Sequence, residues 1–161
     1  MRKLLLLAAF LATGCGPEEG RPQNEGRAAP PAAGTPVQTA TLTGLYESAS
    51  TPPSQLCITE QGRAARFGLV IRRNGRPGCS GAGTAARDGT TLRLTMTGDS
   101  ACAITARIEG GRVTFPPGLP PGCSYYCAPG IVMGGTQFDK TGGTRQDAAR
   151  ARDVVGDPLC S

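Results

Sequence analysis

Histidine and tryptophan are absent from these 161 residues, and only four Phe and three Tyr are present. The first absence removes the usual base of a Ser-His-Asp or Cys-His centre and the imidazole ligands of most catalytic zinc sites. The second, with so few rings, leaves a core light in large apolar groups. Lysine is scarce too, with Lys3 and Lys140 set against fifteen Arg. A Ser-Lys dyad would have to rest on Lys140, which is expected in a Thr/Gly-rich loop where nothing marks a partner Ser. The apolar run Leu4 to Ala12 has nine residues. At about 1.5 Å rise per residue it cannot cross a ~30 Å hydrocarbon core.

Other catalytic patterns fail on context. Gly78-Cys79-Ser80-Gly81-Ala82 lacks the last Gly of a nucleophile elbow and follows a hairpin turn, where an elbow needs a strand-to-helix turn. Gly81 to Ala86 echoes a dinucleotide loop only loosely, because Asp88-Gly89 and a strand follow it and no helix does. Asp88 and Asp99 sit at opposite ends of one strand, too far apart to share a glycosidic bond. With no paired Cys-x-x-Cys and no His, a zinc site is not expected either. The chain is therefore expected to be neither an enzyme nor a metal or cofactor binder. Its net charge of +5 falls to +3 without Arg2 and Lys3. Lacking a basic stripe interleaved with aromatics, it is not expected to bind nucleic acid.

What the chain does have is cysteine, seven in all. Arg2 and Lys3, the apolar run to Ala12 and then Thr13-Gly14-Cys15 have the layout of an export signal. Leu11-Ala12-Thr13-Gly14-Cys15 resembles a bacterial lipobox, with Ala12 where that family more often has Leu. The resemblance covers the first fifteen residues and implies cleavage before Cys15 and acylation of Cys15. It also implies a membrane anchor through this lipid and, with Gly16 following, the periplasmic face of the outer membrane. Residues 1–14 are then a signal peptide. Residues 15–38 are a Pro/Gly/Ala linker too poor in branched apolar groups to fold, and residues 39–161 form one domain.

The other six cysteines, Cys57, Cys79, Cys102, Cys123, Cys127 and Cys160, read as three disulfides in an oxidising compartment. The turn pattern suggests Cys57 with Cys79, Cys102 with Cys123 and Cys127 with Cys160, one of fifteen pairings.

The domain reads in period two. Phe67, Leu69 and Ile71 alternate, as do Leu92, Leu94 and Met96, then Cys102 to Ile108, then Val113 and Phe115. Asn74-Gly75, Asp88-Gly89, Gly98-Asp99-Ser100 and Gly110-Gly111 punctuate them as tight turns. In the register those turns imply, Leu92 faces Ala106, Leu94 faces Ile104, Met96 faces Cys102 and Ile108 faces Val113. One face is then apolar and the other is Thr and Arg. This predicts a mainly β domain, an antiparallel meander closed as a small barrel or sandwich. A short C-terminal helix is expected over Gln146 to Val155, capped by Thr144, with Ala148, Ala151, Val154 and Val155 on one side.

Two features suit binding. Arg72, Arg73 and Arg76, with Arg63 and Arg66 as further candidates, crowd a hairpin tip and offer guanidinium forks to carboxylate or phosphate. Tyr125 and Tyr126, between two cysteines after a Pro-rich connector, offer aromatic contact surface. In style the domain looks like small periplasmic inhibitors, such as those of metalloproteases or of c-type lysozyme. That likeness is architectural and carries no site residue. The expected function is a non-catalytic binding or inhibitory domain in the cell envelope, with an envelope protein, anionic glycan or lipid as partner. A lipocalin-like carrier, its cavity lined by Leu92, Leu94, Ile104 and Ile108, and a structural envelope protein are the alternatives. Cell fractionation tests the anchor: Cys15→Ser should move the protein from the membrane to the soluble fraction, and its retention at wild-type level refutes lipidation.

Overall fold

The computed structural model describes residues 40–160. The expected signal peptide 1–14, the expected lipidation site Cys15 and the expected linker 15–38 lie outside the described residues. Eight strands follow in chain order: β1 Gly44–Glu47, β2 Gln55–Gln61, β3 Ala64–Arg73, β4 Arg76–Asp88, β5 Thr91–Met96, β6 Ala103–Glu109, β7 Arg112–Thr114 and β8 Gln137–Gly142. Each pairs antiparallel with the next, and β8 pairs with β1, so the sheet closes into an up-and-down barrel. Closure leaves no open edge, which decides between the two expected architectures.

The anticipated register holds. Leu92 lies opposite Ala106, Leu94 opposite Ile104 and Ile108 opposite Val113. Met96 N–H donates to Cys102 O at 3.0 Å. Asn74 and Gly75, and then Gly110 and Gly111, all have positive φ, as the two-residue hairpin turns require. The β4–β5 turn falls one residue later than expected, at Gly89-Thr90, because Asp88 already pairs with Thr91.

Inward side chains fill the barrel. Phe67, Phe115, Phe138, Leu69, Ile71, Leu92, Leu94 and Ile104 are each at most 2% exposed and belong to one cluster. Phe115 and Phe138 meet edge to face, with centroids 5.3 Å apart. Phe67 lies against the backbone of Gly83, where an added Cβ would come within 2.9 Å of the ring. The small residues of β4 thus make room for a large ring, which offsets the shortage of aromatics. Outside, Thr91, Arg93, Thr105 and Arg107 face solvent, unlike the apolar belt of a lipid-facing barrel.

A second cluster covers the outer face of β1 to β3, where Leu45, Cys57, Ala148, Ala151 and Cys160 are buried together. Leu159 fits because Gly68 has no side chain; a Cβ there would come within 2.6 Å of the Leu159 carbonyl. The helix that starts this segment, α1 Arg145–Ala148, is shorter than expected. Thr144 does cap it, in a reciprocal box with Asp147. Beyond it Asp153 accepts from the N–H groups of Val155, Gly156 and Asp157, folding the chain back toward Cys160. Val154 and Val155 are therefore exposed, and only Ala148 and Ala151 of the expected apolar side are buried.

The disulfides are Cys57–Cys160, Cys79–Cys127 and Cys102–Cys123. The third agrees with the expected pairing and the other two correct it. Cys57 points outward from β2 and Cys79 inward from β4, with β3 between them, so the sheet itself separates their sulfurs. Peptide mapping without reduction should recover these three bridged pairs and no Cys57–Cys79 fragment. Cys160→Ala should cost about 2–4 kcal/mol of unfolding free energy. In that variant, raised amide exchange should be confined to residues 149–160 and the strands beneath them; loss of exchange protection throughout the barrel counts against this segment being an external clamp.

Candidate functional site at the bridged end of the barrel

The β3–β4 hairpin carries its basic residues on a bulged tip. The register shifts between Ile71 and Arg72, so that Ile71 pairs with Cys79 and Arg72 with Pro77. The bulge accommodates Pro77, which has no N–H to give a ladder, and frees the carbonyl of Gly78. Ala128 N–H donates to that carbonyl at 2.6 Å, and Cys79–Cys127 fixes the contact covalently. Ile131 lies over Gly78, where a Cβ would be 2.6 Å from its Cγ2. A glycine in the bulge and the bridge beside it therefore hold the long β7–β8 connection against the Arg-rich tip.

The two sequence-predicted features consequently meet. Arg73, Asn74, Arg76 and Pro77 on the tip face Pro129 and Ile131 on the loop across an open groove of about 590 Å3. The groove continues, through Pro77, Gly78 and Ala128, into a surface lined by Tyr125, Tyr126 and Val154. On its other side Ile131 joins it to an apolar cleft between Leu119, Cys123 and Met133. Tyr125 is 85% exposed. Tyr126 is not equivalent to it: its hydroxyl donates to Thr97 O at 3.0 Å, and its ring packs on the core. Arg72 is half-buried and its N–H donates to buried Ser54, whereas Arg73 and Arg76 are exposed. Arg73 reaches the carbonyl of Val132 at 3.5 Å. Arg63 and Arg66 do not join them, since Arg63 is in the β2–β3 turn at the opposite end and Arg66 pairs with Thr84 in mid-strand.

That opposite end is closed by residues 40–43, a polar clamp that pattern reading missed. Leu42 is buried at the mouth, and the Tyr46 hydroxyl donates to its carbonyl at 2.7 Å. Arg87 donates to Ala40 O and Lys140 to Thr41 O, at 2.9 and 2.7 Å. A single Glu60 oxygen accepts from the N–H groups of Leu42 and Thr43 and from the hydroxyls of Thr41 and Thr43. Lys140, read from sequence as a loop residue, is in the closing strand β8, with its ammonium 5.4 Å from the Tyr46 ring centre. Burial lowers its pKa, partly opposed by Glu60. Burial likewise raises the Tyr46 phenol to about 12, with Glu60 adding to the rise. The available signal was the Thr-x-Thr before β1, a pair of donors with no helix to cap.

No family model, curated protein or solved structure matches the chain.

Burial alone would raise the Glu60 carboxyl, but the hydrogen bonds from Thr41, Thr43 and Leu42 outweigh it and hold the pKa below the ordinary value. The unfolded chain thus takes up this proton first as pH falls. The clamp's contribution is whole above the ordinary glutamate range and is lost as pH drops through the lowered value. Glu60→Gln should cost about 1–2 kcal/mol at pH 7. Denaturant melts of both proteins at pH 7 and in acid check this: the gap should close in acid, and a constant gap contradicts the carboxylate's role.

Proposed function

We propose that the protein is a lipid-anchored envelope protein whose barrel is a non-catalytic binding or inhibitory domain, with the bridged end as its contact surface. The observation that supports this best is the joining of the Arg tip to the Tyr125 loop by Cys79–Cys127 and the Ala128–Gly78 hydrogen bond. Two loops ordered in advance lose little conformational freedom on association, which favours affinity. Arg and Tyr are also the residue types that dominate binding hot spots. Three of the four large exposed apolar side chains among the described residues, Tyr125, Val132 and Val154, lie here.

The carrier reading draws less support. Leu92, Leu94, Ile104 and Ile108, the side chains that would line a ligand cavity, are at most 4% exposed and packed with Phe67, Phe115 and Phe138.

In-membrane cross-linking of cells carrying wild type, Arg72→Ala/Arg73→Ala/Arg76→Ala or Tyr125→Ala tests the proposal. Each variant should lose at least tenfold in yield of a partner that wild type captures, corresponding to about 1.4 kcal/mol or more. Unchanged partners in both variants, or turnover of an envelope substrate by the purified protein, defeat it.

A further inference from the structure

The groove between the tip and the Pro129–Ile131 loop has a chemical character that narrows the partner. The described ion pairs join Arg107 to Glu109, Arg112 to Asp139 and Arg150 to Asp147. Arg72, Arg73 and Arg76 have no carboxylate partner among the described residues, and no acidic residue lines the groove. Asp153, Asp99 and Glu47 are held elsewhere, Asp153 by three backbone N–H groups, Asp99 by Ala101 N–H and Glu47 by Gln55 and Thr141, and none of them forms an ion pair with these arginines. Like charges gathered without a counterion repel one another at a cost that an anionic ligand removes on binding.

The walls supply the second constraint. Pro77, Ala128, Pro129 and Ile131 are apolar, and the groove adjoins the Tyr125 surface through Pro77, Gly78 and Ala128 and the Val132 cleft through Ile131. A flat bilayer does not cover the walls of a recess between two loops. A polyanionic glycan offers charge but few apolar groups to cover these walls. A stretch of polypeptide with carboxylates and apolar side chains satisfies both.

Resting on the contact surface proposed above, we infer that this groove binds an extended acidic segment of a protein partner. Asp or Glu side chains reach Arg73 and Arg76, and an interleaved apolar side chain lies between Pro77 and Ile131. The guanidinium forks supply paired hydrogen bonds to carboxylate, and the Cys79–Cys127 staple fixes the spacing of the two walls.

Selection of a randomised twelve-residue peptide library on the full-length, non-lipidated Cys15→Ser chain tests this directly. Selected sequences should be enriched in Asp and Glu interleaved with apolar residues. They should shift the backbone NMR signals of residues 73–78 and 128–132, and bind at least thirtyfold more weakly to Arg73→Gln/Arg76→Gln. That variant removes the two positive charges while keeping polar side chains, and intact mass with an unchanged remaining NMR spectrum establishes that it is folded and bridged. Peptides that map to this groove without acidic enrichment, or that ignore the double Gln variant, overturn the inference and leave the contact surface standing. Peptides that map elsewhere, or an empty selection, overturn both. Displacement of the peptides by phosphatidylglycerol vesicles, with vesicle binding lost in the same variant, assigns the groove to lipid and also overturns the inference.

Discussion

Closure of β8 on β1 is the constraint on which the rest of this structure depends. Without it β1 and β8 would be open edges, and the mouth clamp would lose Lys140. Yet β8 reads Gln-Phe-Asp-Lys-Thr-Gly and contributes a single large apolar side chain, Phe138. Its hold on the barrel is mostly polar. Asp139 takes two hydrogen bonds from Arg112 directly across the ladder, and Thr141 donates to Glu47 of β1. Gly44 allows the close approach, since a Cβ there would lie 2.1 Å from the Gly142 carbonyl. A weakly apolar strand can close a barrel when its neighbours are already in place, because closing then adds a full second row of backbone hydrogen bonds for little further ordering.

The difficulty is that β8 arrives after the connection formed by residues 115–136. Bringing β8 back over such a length carries a loop-closure cost, and two of the three bridges each have one cysteine in it. Cys102–Cys123 ties its start to the β5–β6 loop and Cys79–Cys127 ties its middle to β4. The connection is thereby divided into short, anchored pieces, stiffened further by its prolines. The cross-links that support closure are thus the same ones that set the two walls of the groove at a fixed spacing. Cys57–Cys160 is different in kind, because it secures a covering segment on the outer wall.

Legibility in the sequence followed the strength of the local pattern. From β5 to β7 both faces were readable, because Leu92, Leu94, Ile104 and Ile108 alternate with Thr and Arg between glycine turns, and a one-residue slip would have inverted every side chain. β4 was harder, since Gly81, Gly83 and Ala85 carry no hydrophobic period; the glycines' smallness makes sense only once Phe67 lies against Gly83, and Met96 and Tyr126 against Gly81. β8 was opaque for the reason that makes its closure polar. The helix was overextended because Val154 and Val155 continue its spacing, while the Asp153 turn that halts it depends on backbone N–H groups that periodicity does not register. The bridges failed where pairing rested on proximity along the meander and ignored which face each cysteine occupies. The Arg and Tyr residues were visible singly, but their meeting was not, since it needs a bulge at Pro77 and a bridge across 48 residues of chain.

The two ends of the barrel treat charge in opposite ways, and that contrast gives the functional reading its direction. At the mouth, Glu60 gathers four donors, while Lys140 and Arg87 are spent on carbonyls, so the polar groups there are satisfied internally and hold the chain's entry in place. At the bridged end Arg73 and Arg76 line a groove that adjoins the surfaces of exposed Tyr125 and Val132, with no internal counterion among the described residues. A barrel whose interior is packed leaves its outside for any ligand contact, and the outer wall of β5 to β7 is a Thr and Arg surface punctuated by exposed ion pairs of small energetic weight, while that of β1 to β3 is covered by the C-terminal segment. Among the described residues only the bridged end combines apolar exposure, uncompensated charge and covalent rigidity. The first two carry a structural cost that folding alone does not repay, and the binding of an acidic partner would offset the charge and cover the apolar surface together.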